Sequence, residues 1–197
     1  VLRERDARHA AVVEEALRRM RNVLDRAPDL EPAVQALEGL LRFSRRLLAA
    51  GELPRLLDEL LDAVLEVTRA EKGFLVLVED GAMSVRAARN LGRENIEDAV
   101  ASMSDSIVQR VVSTACPVVV ADALHDDRWS SSSSVVNLKL CSVMCAPRMK
   151  GGEVFGVIYL GNDSVVNLFD EGDLDVLTVF AAQASLLVEN AQLLDGL

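Results

Sequence analysis

Nucleophilic catalysis needs a Ser or Cys beside an oriented His, and the chain contains only His9 and His125. His9 stands in a charged opening stretch, where a solvated histidine is expected. His125 lies in His125-Asp126-Asp127-Arg128, and no Gly-x-Ser-x-Gly turn exists to present a nucleophile to it. A capped loop is therefore the expected role for His125. No glycine-rich turn leads from a strand into a helix, as phosphate binding requires; Gly151-Gly152 separates two strand-like runs instead. Cys141 and Cys145 share parity, so on one strand their thiols project to a common face with Val143. They then act as small buried hydrophobes or line a cavity, and Cys116 beside Pro117 is expected to be buried too. His125, Asp126, Asp127, Cys141 and Cys145 include ferrous-ligand types, but no motif spacing joins them. No metal is expected.

Lys plus Arg total 21 against 31 for Asp plus Glu, a net charge of −10. Phosphate backbones and anionic lipid repel such a chain. Arg18, Arg19 and Arg21 are interleaved with Glu14, Glu15 and Asp25, so that helix is expected to be a solvated face rather than a nucleic-acid contact. Three cysteines cannot all pair, which suits a reducing cytoplasm better than a secreted framework. No apolar run approaches the roughly 18 residues that span a bilayer. At 197 residues, half of them apolar, one domain with an appended helix is expected. The absence of an initial Met suggests a segment of a longer chain.

The elements that must position these residues follow from hydrophobic period. Val13, Leu17, Met20 and Leu24 form one narrow helical stripe, and Asp25 to Pro32 breaks it as a linker. A second helix is expected over Ala33 to Ala49 and a third to about Arg69, the latter with a wide apolar face. Gly73 to Val78 has strand composition and Asp80-Gly81 marks a hairpin, with the return strand at about Met83 to Leu91. A weak helix and a second one around Ile107 to Val112 come next. Further strands are expected at Cys116 to Ala121, Leu138 to Met149 and Glu153 to Asn162. Between them, Asp122 to Asn137, with its run of serines from Ser130 to Ser134, is expected to be a lid. The long helix from Asp170 to Leu194 carries Leu177, Ala181, Ala184 and Val188 at 3 and 4 spacing, a seam suited to a second helix.

Several strings resemble a GAF domain, a sensor module of signalling proteins. They are Glu71-Lys72-Gly73-Phe74-Leu75-Val76-Leu77, Ser106-Ile107-Val108, Val120-Ala121-Asp122-Ala123 and Asp126-Asp127-Arg128-Trp129. Cys145-Ala146-Pro147, Gly156-Val157-Ile158-Tyr159-Leu160, Phe169-Asp170-Glu171 and Ala181-Ala182-Gln183-Ala184 continue the series. The similarity covers about Leu40 to Leu197. Ser-Ile-Val before the mid helix and Gly-Asn-Asp after Leu160 resemble the GAF domains of sigma-54-dependent activators and FHA-containing regulators.

That resemblance implies an α+β fold, with a GAF/PAS-like six-stranded antiparallel sheet, terminal helices on one face and a loop-covered pocket on the other. Residues 1–32 are then an N-terminal helix and linker, and 33–197 a sensor domain ending in a signalling helix. The implied function is non-catalytic: a small-molecule effector, of unknown identity and with no defined cofactor, is relayed through a homodimer to an output module of a longer chain. The setting would be transcription regulation or signal transduction. Candidate effector contacts are His125, Asp126, Trp129, Ser132, Cys141, Val143 and Cys145; candidate dimer contacts are Val13, Leu17, Leu177, Ala181, Ala184 and Val188. Alternatives are a ligand-free dimerisation module and an enzyme that reduces free methionine sulfoxide. A nitric-oxide-sensing iron branch is a minor option, since the cysteines are displaced from its pattern. The cyclic-nucleotide signature is met at Asn162, Phe169 and Asp173 but not at Asp163 and Leu174, and no Cys-His pair exists for a bilin. Arg148 stands where the family has an aliphatic residue; its charge must reach solvent, a carboxylate or an anionic ligand, and a salt bridge at the sheet edge is expected.

Overall fold

In the computed structural model the described residues are 7–8, 10–19, 53–79, 81–90, 106–131 and 133–195. The expected linker, second helix and weak acidic helix, together with His9 and Ser132, lie outside them. Residues 10–19 form helix α1. Then come α2 (Leu53–Thr68), β1 (Lys72–Glu79), β2 (Ala82–Asn90), α3 (Ser106–Thr114), β3 (Val118–Val120), α4 (Ser133–Leu138), β4 (Ser142–Lys150), β5 (Glu153–Asn162) and α5 (Glu171–Asp195). The strands make one antiparallel sheet in the order β2-β1-β5-β4-β3. Five strands, rather than the expected six, fall among the described residues.

Both faces of the central strands are covered, which is why β1 and β4 read as nearly continuous apolar runs. Alternation sends Leu75, Met144, Ala146, Ile158 and Leu160 to one face, under Leu60, Leu61, Val64 and Leu65 of α2 and Leu177, Phe180 and Ala181 of α5. Phe74, Val76, Val143, Cys145, Val157 and Tyr159 go to the other, under Ile107, Val108 and Val111 of α3. Asp62 on α2 takes two 2.9 Å hydrogen bonds from Arg89 on β2, pinning the helix to the sheet margin. The hairpins turn on glycines: Gly151 and Gly152 both hold positive φ (57° and 82°), as a two-residue turn of matching twist requires.

Two boundaries differ from sequence expectation. The strand expected from Leu138 begins at Ser142, because residues 133–138 form α4 and Lys139 adopts a left-handed φ of 54°. Leu140 then donates its N–H to the Val135 carbonyl at 3.0 Å, closing a Schellman-type cap that ejects the chain from the helix. The lid expected over Asp122 to Asn137 thus contains a helical turn. The strand expected from Cys116 is confined to Val118–Val120, since Ala115 takes the same left-handed conformation and its N–H caps α3 at the Val111 carbonyl, 2.8 Å away.

Close packing across the sheet is tightest at Gly156, where an added Cβ would stand 2.5 Å from the Val76 carbonyl oxygen. Gly156→Ala is expected to lower stability by about 1–3 kcal/mol, as forced expansion of a packed core does. A urea midpoint that falls at unchanged slope would show it.

Candidate functional site

The loop between β3 and β4 is tied down at its two ends. The Ser142 hydroxyl donates to the Ala121 carbonyl at 2.9 Å, Asn167 N–H donates to the same oxygen at 2.6 Å, and Ala123 N–H reaches the Cys141 carbonyl at 2.8 Å. Between these ties the loop folds on itself. Asp122 accepts from the His125 backbone N–H at 3.3 Å and lies 2.9 Å from Nδ1 of its ring. Arg128 grips Asp126 with Nε at 3.0 Å and Nη2 at 2.7 Å. That grip holds the Asp126 carboxyl below its usual range and raises the guanidinium. His125 and Arg128 are exposed.

Beneath the loop lies the apolar cluster of Phe74, Val143, Cys145 and Tyr159, with the half-buried Trp129 packed against it. The Phe74 and Tyr159 rings meet edge to face, 6.1 Å between centroids. Of the effector contacts expected from sequence, Trp129, Val143 and Cys145 are therefore brought together. His125 and Asp126 are not: their polar groups are spent on partners within the loop. Cys141 is also separate, because it precedes β4 and its thiol faces the Asp163 carbonyl at 3.3 Å. Cys116, expected to be buried, is exposed on the way from α3 to β3; all three cysteines are thiols.

Asn162, Phe169 and Asp173 have structural work. Asn162 Oδ1 accepts from Ser164 N–H at 2.9 Å and Val165 N–H at 2.6 Å, holding the turn after β5. Phe169 is core. Asp170 accepts from Gly172 and Asp173 N–H groups while Asp173 accepts from Asp170 N–H at 3.1 Å, a reciprocal cap on α5. Burial pushes the Asp173 carboxyl up. At the same corner Lys72 Nζ lies 2.7 Å from Asp163, and Glu71 accepts from the Asp163 N–H and the Ser164 hydroxyl.

The expected seam is placed differently from its reading. Leu177, Ala181 and Ala184 are buried within this one chain, against α2 and the sheet, so they are core and are not presented to a second helix. Spacing alone does not tell a sheet-facing stripe from an inter-chain one. The Val188 side chain lies outside the description. Val13 is half-buried and Leu17 is 44% exposed on α1. Sequence reasoning missed a cleft of about 560 Å³ between α1, β3 and the start of α5, lined by Val12, Pro117, Val118 and Leu174. Arg19 and Asp175 approach to 3.8 Å there, and burial raises the Asp175 carboxyl. Among the described residues no group of three or more His, Cys, Asp or Glu is placed to hold a metal ion. None of their helices is long and apolar enough to cross a membrane.

A family model described as "GAF domain" matches residues 50–189. Among solved structures, the GAF domain of A. aeolicus in an inactive state aligns with a TM-score of 0.64 at 15% identity, covering 81% of this chain and 99% of that one. The free methionine-R-sulfoxide reductase of Neisseria meningitidis, in complex with its substrate, aligns at 0.66 and 16% identity over 84% and 94%. At these identities the likeness is one of fold. A curated relative, hybrid signal transduction histidine kinase G of Dictyostelium discoideum, is 25% identical over 99 residues, half of this chain but 3% of that protein.

The hydrogen bond shared with Glu71 and then the Lys72 ammonium hold the Asp163 carboxyl at about 2, below the ordinary 3.8. Because the folded value is depressed, the stabilisation is complete above pH 3.8 and is lost as pH falls through about 2. A carbon-detected titration of Asp163 is expected to show that low midpoint, and Lys72→Ala to move it up toward the ordinary value.

Proposed function

Because the chain belongs to the GAF family, we propose that it is a regulatory domain: a small-molecule effector is sensed beneath the loop between β3 and β4, and its presence is relayed through the terminal helices to an output module. The carrying observation is the loop itself, tethered at both ends, with the half-buried Trp129 packed against the apolar cluster that contains Val143, Cys145 and Tyr159. A loop fixed at its ends and folded on its own ion pairs in the middle can lift as a unit. An effector with an apolar body would take the place of the Trp129 ring. Its exposed end would meet His125, Asp126 or Arg128 only by exchanging the bonds that they make within the loop.

The relay rests on shared walls. The strands that carry Val143 and Cys145 to the loop side carry Met144 and Ala146 to α5. A preference of the effector for one loop state, worth about 1–3 kcal/mol, is enough to bias the helices. α1 lies against the start of α5 through the Arg19–Asp175 approach, so both terminal helices feel the same shift. Pairing with a second copy would use Val13 and Leu17 of α1, since the inner stripe of α5 is occupied. The kinship to a hybrid histidine kinase supports a signal-transduction or transcription-regulating output.

The packed state of the cluster favours one other reading, a ligand-free interaction module in which Trp129 simply completes the core. Trp129 is the sole tryptophan, so its emission reports on the loop. Native mass spectrometry against fractionated metabolite extract is expected to show an adduct on the folded protein, and the same fraction to shift Trp129 emission and alter hydrogen exchange in α1 and α5. No adduct and no shift with any fraction would leave the interaction module. Turnover of free methionine sulfoxide with a thiol reductant, abolished by Cys145→Ala or Cys116→Ala, would replace the regulatory reading with the enzymatic one.

A further inference from the structure

Arg148 follows Met144 and Ala146 in the β4 alternation, so its side chain enters the layer between the sheet and α5. It is 0% exposed. Among the described residues the expected salt bridge is not made. Among the described residues the Nη2 group has a long, 3.4 Å hydrogen bond to the Ala184 carbonyl of α5, and Nε and Nη1 have no acceptor. Burial lowers the guanidinium to about 10, which still leaves it protonated at neutral pH.

The surrounding chain is shaped around this cation. Arg148 pairs with Gly156 while the next residue, Met149, pairs with Val154, so Phe155 is the extra residue of a β-bulge. The bulge turns Phe155 to the helix side, although Val154 and Val157 pack on the loop side. Its ring lies 4.6 Å from the guanidinium carbon. Gly156 lies beside the guanidinium: a Cβ there would stand 3.6 Å from Nη1, an ordinary contact distance, and 2.5 Å from the Val76 carbonyl oxygen, which is what requires the glycine. The stacked Phe155 ring accommodates the charge without neutralising it. The site is near the rim of the sheet: Phe155 is half-buried and Lys150, two residues on, is exposed.

We infer that the layer between Phe155, Arg148 and α5 is a binding site for a small organic carboxylate, whose oxygens accept from Nε and Nη1 of Arg148. A monocarboxylate cancels the single buried charge, whereas a phosphate dianion would leave an uncompensated negative one in the same place. An aliphatic tail suits the Phe155 ring. A carboxylate from a second copy fits less well, because two chains of net charge −10 repel each other. The site is on the opposite face from the β3–β4 loop, so it stands or falls apart from the effector reading above.

The test is thermal unfolding of wild type and Arg148→Met in sodium chloride, sodium acetate, sodium butyrate and sodium phosphate at matched ionic strength. The wild-type midpoint is expected to rise by about 3 °C or more in butyrate or acetate, and not in phosphate. Arg148→Met should start no lower than wild type in chloride and respond to none of the salts. Equal shifts in both proteins, or none in wild type, overturn the proposal. So does a wild-type midpoint that climbs with protein concentration in chloride alone and is flat in Arg148→Met, which would assign the acceptor to a second copy. Should the variant not fold, the Arg148 Nε–H resonance of wild type decides: a butyrate-dependent shift with slowed exchange supports the site, and an unchanged signal refutes it.

Discussion

The structure depends on one constraint: β1, β5 and β4 are walls shared by two separate apolar clusters. Each sends alternate side chains to α2 and α5 on one side and to α3 and the β3–β4 loop on the other. Period-two alternation makes register unforgiving, because a one-residue slip would exchange the two sets and leave neither cluster filled. Burying each large aliphatic side chain contributes roughly 1.5–3 kcal/mol, so the register is held by the sum of both faces. A backbone shift that relaxes Val143 or Cys145 must also move Met144 or Ala146.

Where the strands end, apolar packing gives way to short polar ties. The Ser142 hydroxyl donates to the Ala121 carbonyl and accepts from Leu168 N–H. Cys141 N–H reaches the Asn162 carbonyl at 2.7 Å, and Asn162 caps the turn that follows. These bonds fasten the start of β4, the end of β5, the loop and the approach to α5 at one corner. Residues there are easily mistaken for a ligand signature, since Asn, Asp and Phe at fixed spacing serve a turn, a helix cap and a core equally well. Lys72 and Asp163 make the point: the ammonium engages a carboxylate from the turn after β5.

Elements whose reason is local were legible in the sequence. Glu153–Asn162 was readable from its composition and the Gly151-Gly152 turn, and the third helix from the width of its leucine face. The boundaries that escaped, at Leu138 and Cys116, depend on left-handed residues that are not glycine. Lys139 and Ala115 carry no signal of that conformation, and only the cap hydrogen bonds they close explain it. For the site, the common face of Val143 and Cys145 follows from strand parity, whereas Trp129, which lies in the loop, was reached only through the resemblance. Cys141 broke the same rule because the strand had not yet begun. The stripe on α5 was visible as a stripe, but which surface it meets is a tertiary fact: its 3 and 4 spacing fits a sheet as well as another helix. Arg148 was recognisable as an anomaly needing a partner, while its isolation depends on the Phe155 bulge, which pairing alone reveals.

The two faces of the sheet therefore differ in kind. On the loop side the polar groups have met their needs among themselves, His125 with Asp122 and Arg128 with Asp126, at the surface where water screens them. On the helix side Arg148, the one buried cation among the described residues, has a ring and a distant carbonyl. An unsatisfied buried charge is tolerated only while the rest of the core outweighs it, and α5 supplies much of that core through Leu177, Phe180 and Ala181. This last helix is thus held by apolar contact against an electrostatic cost beneath it. Of all the packed elements, α5 is the one whose hold a single neutralising charge would most change.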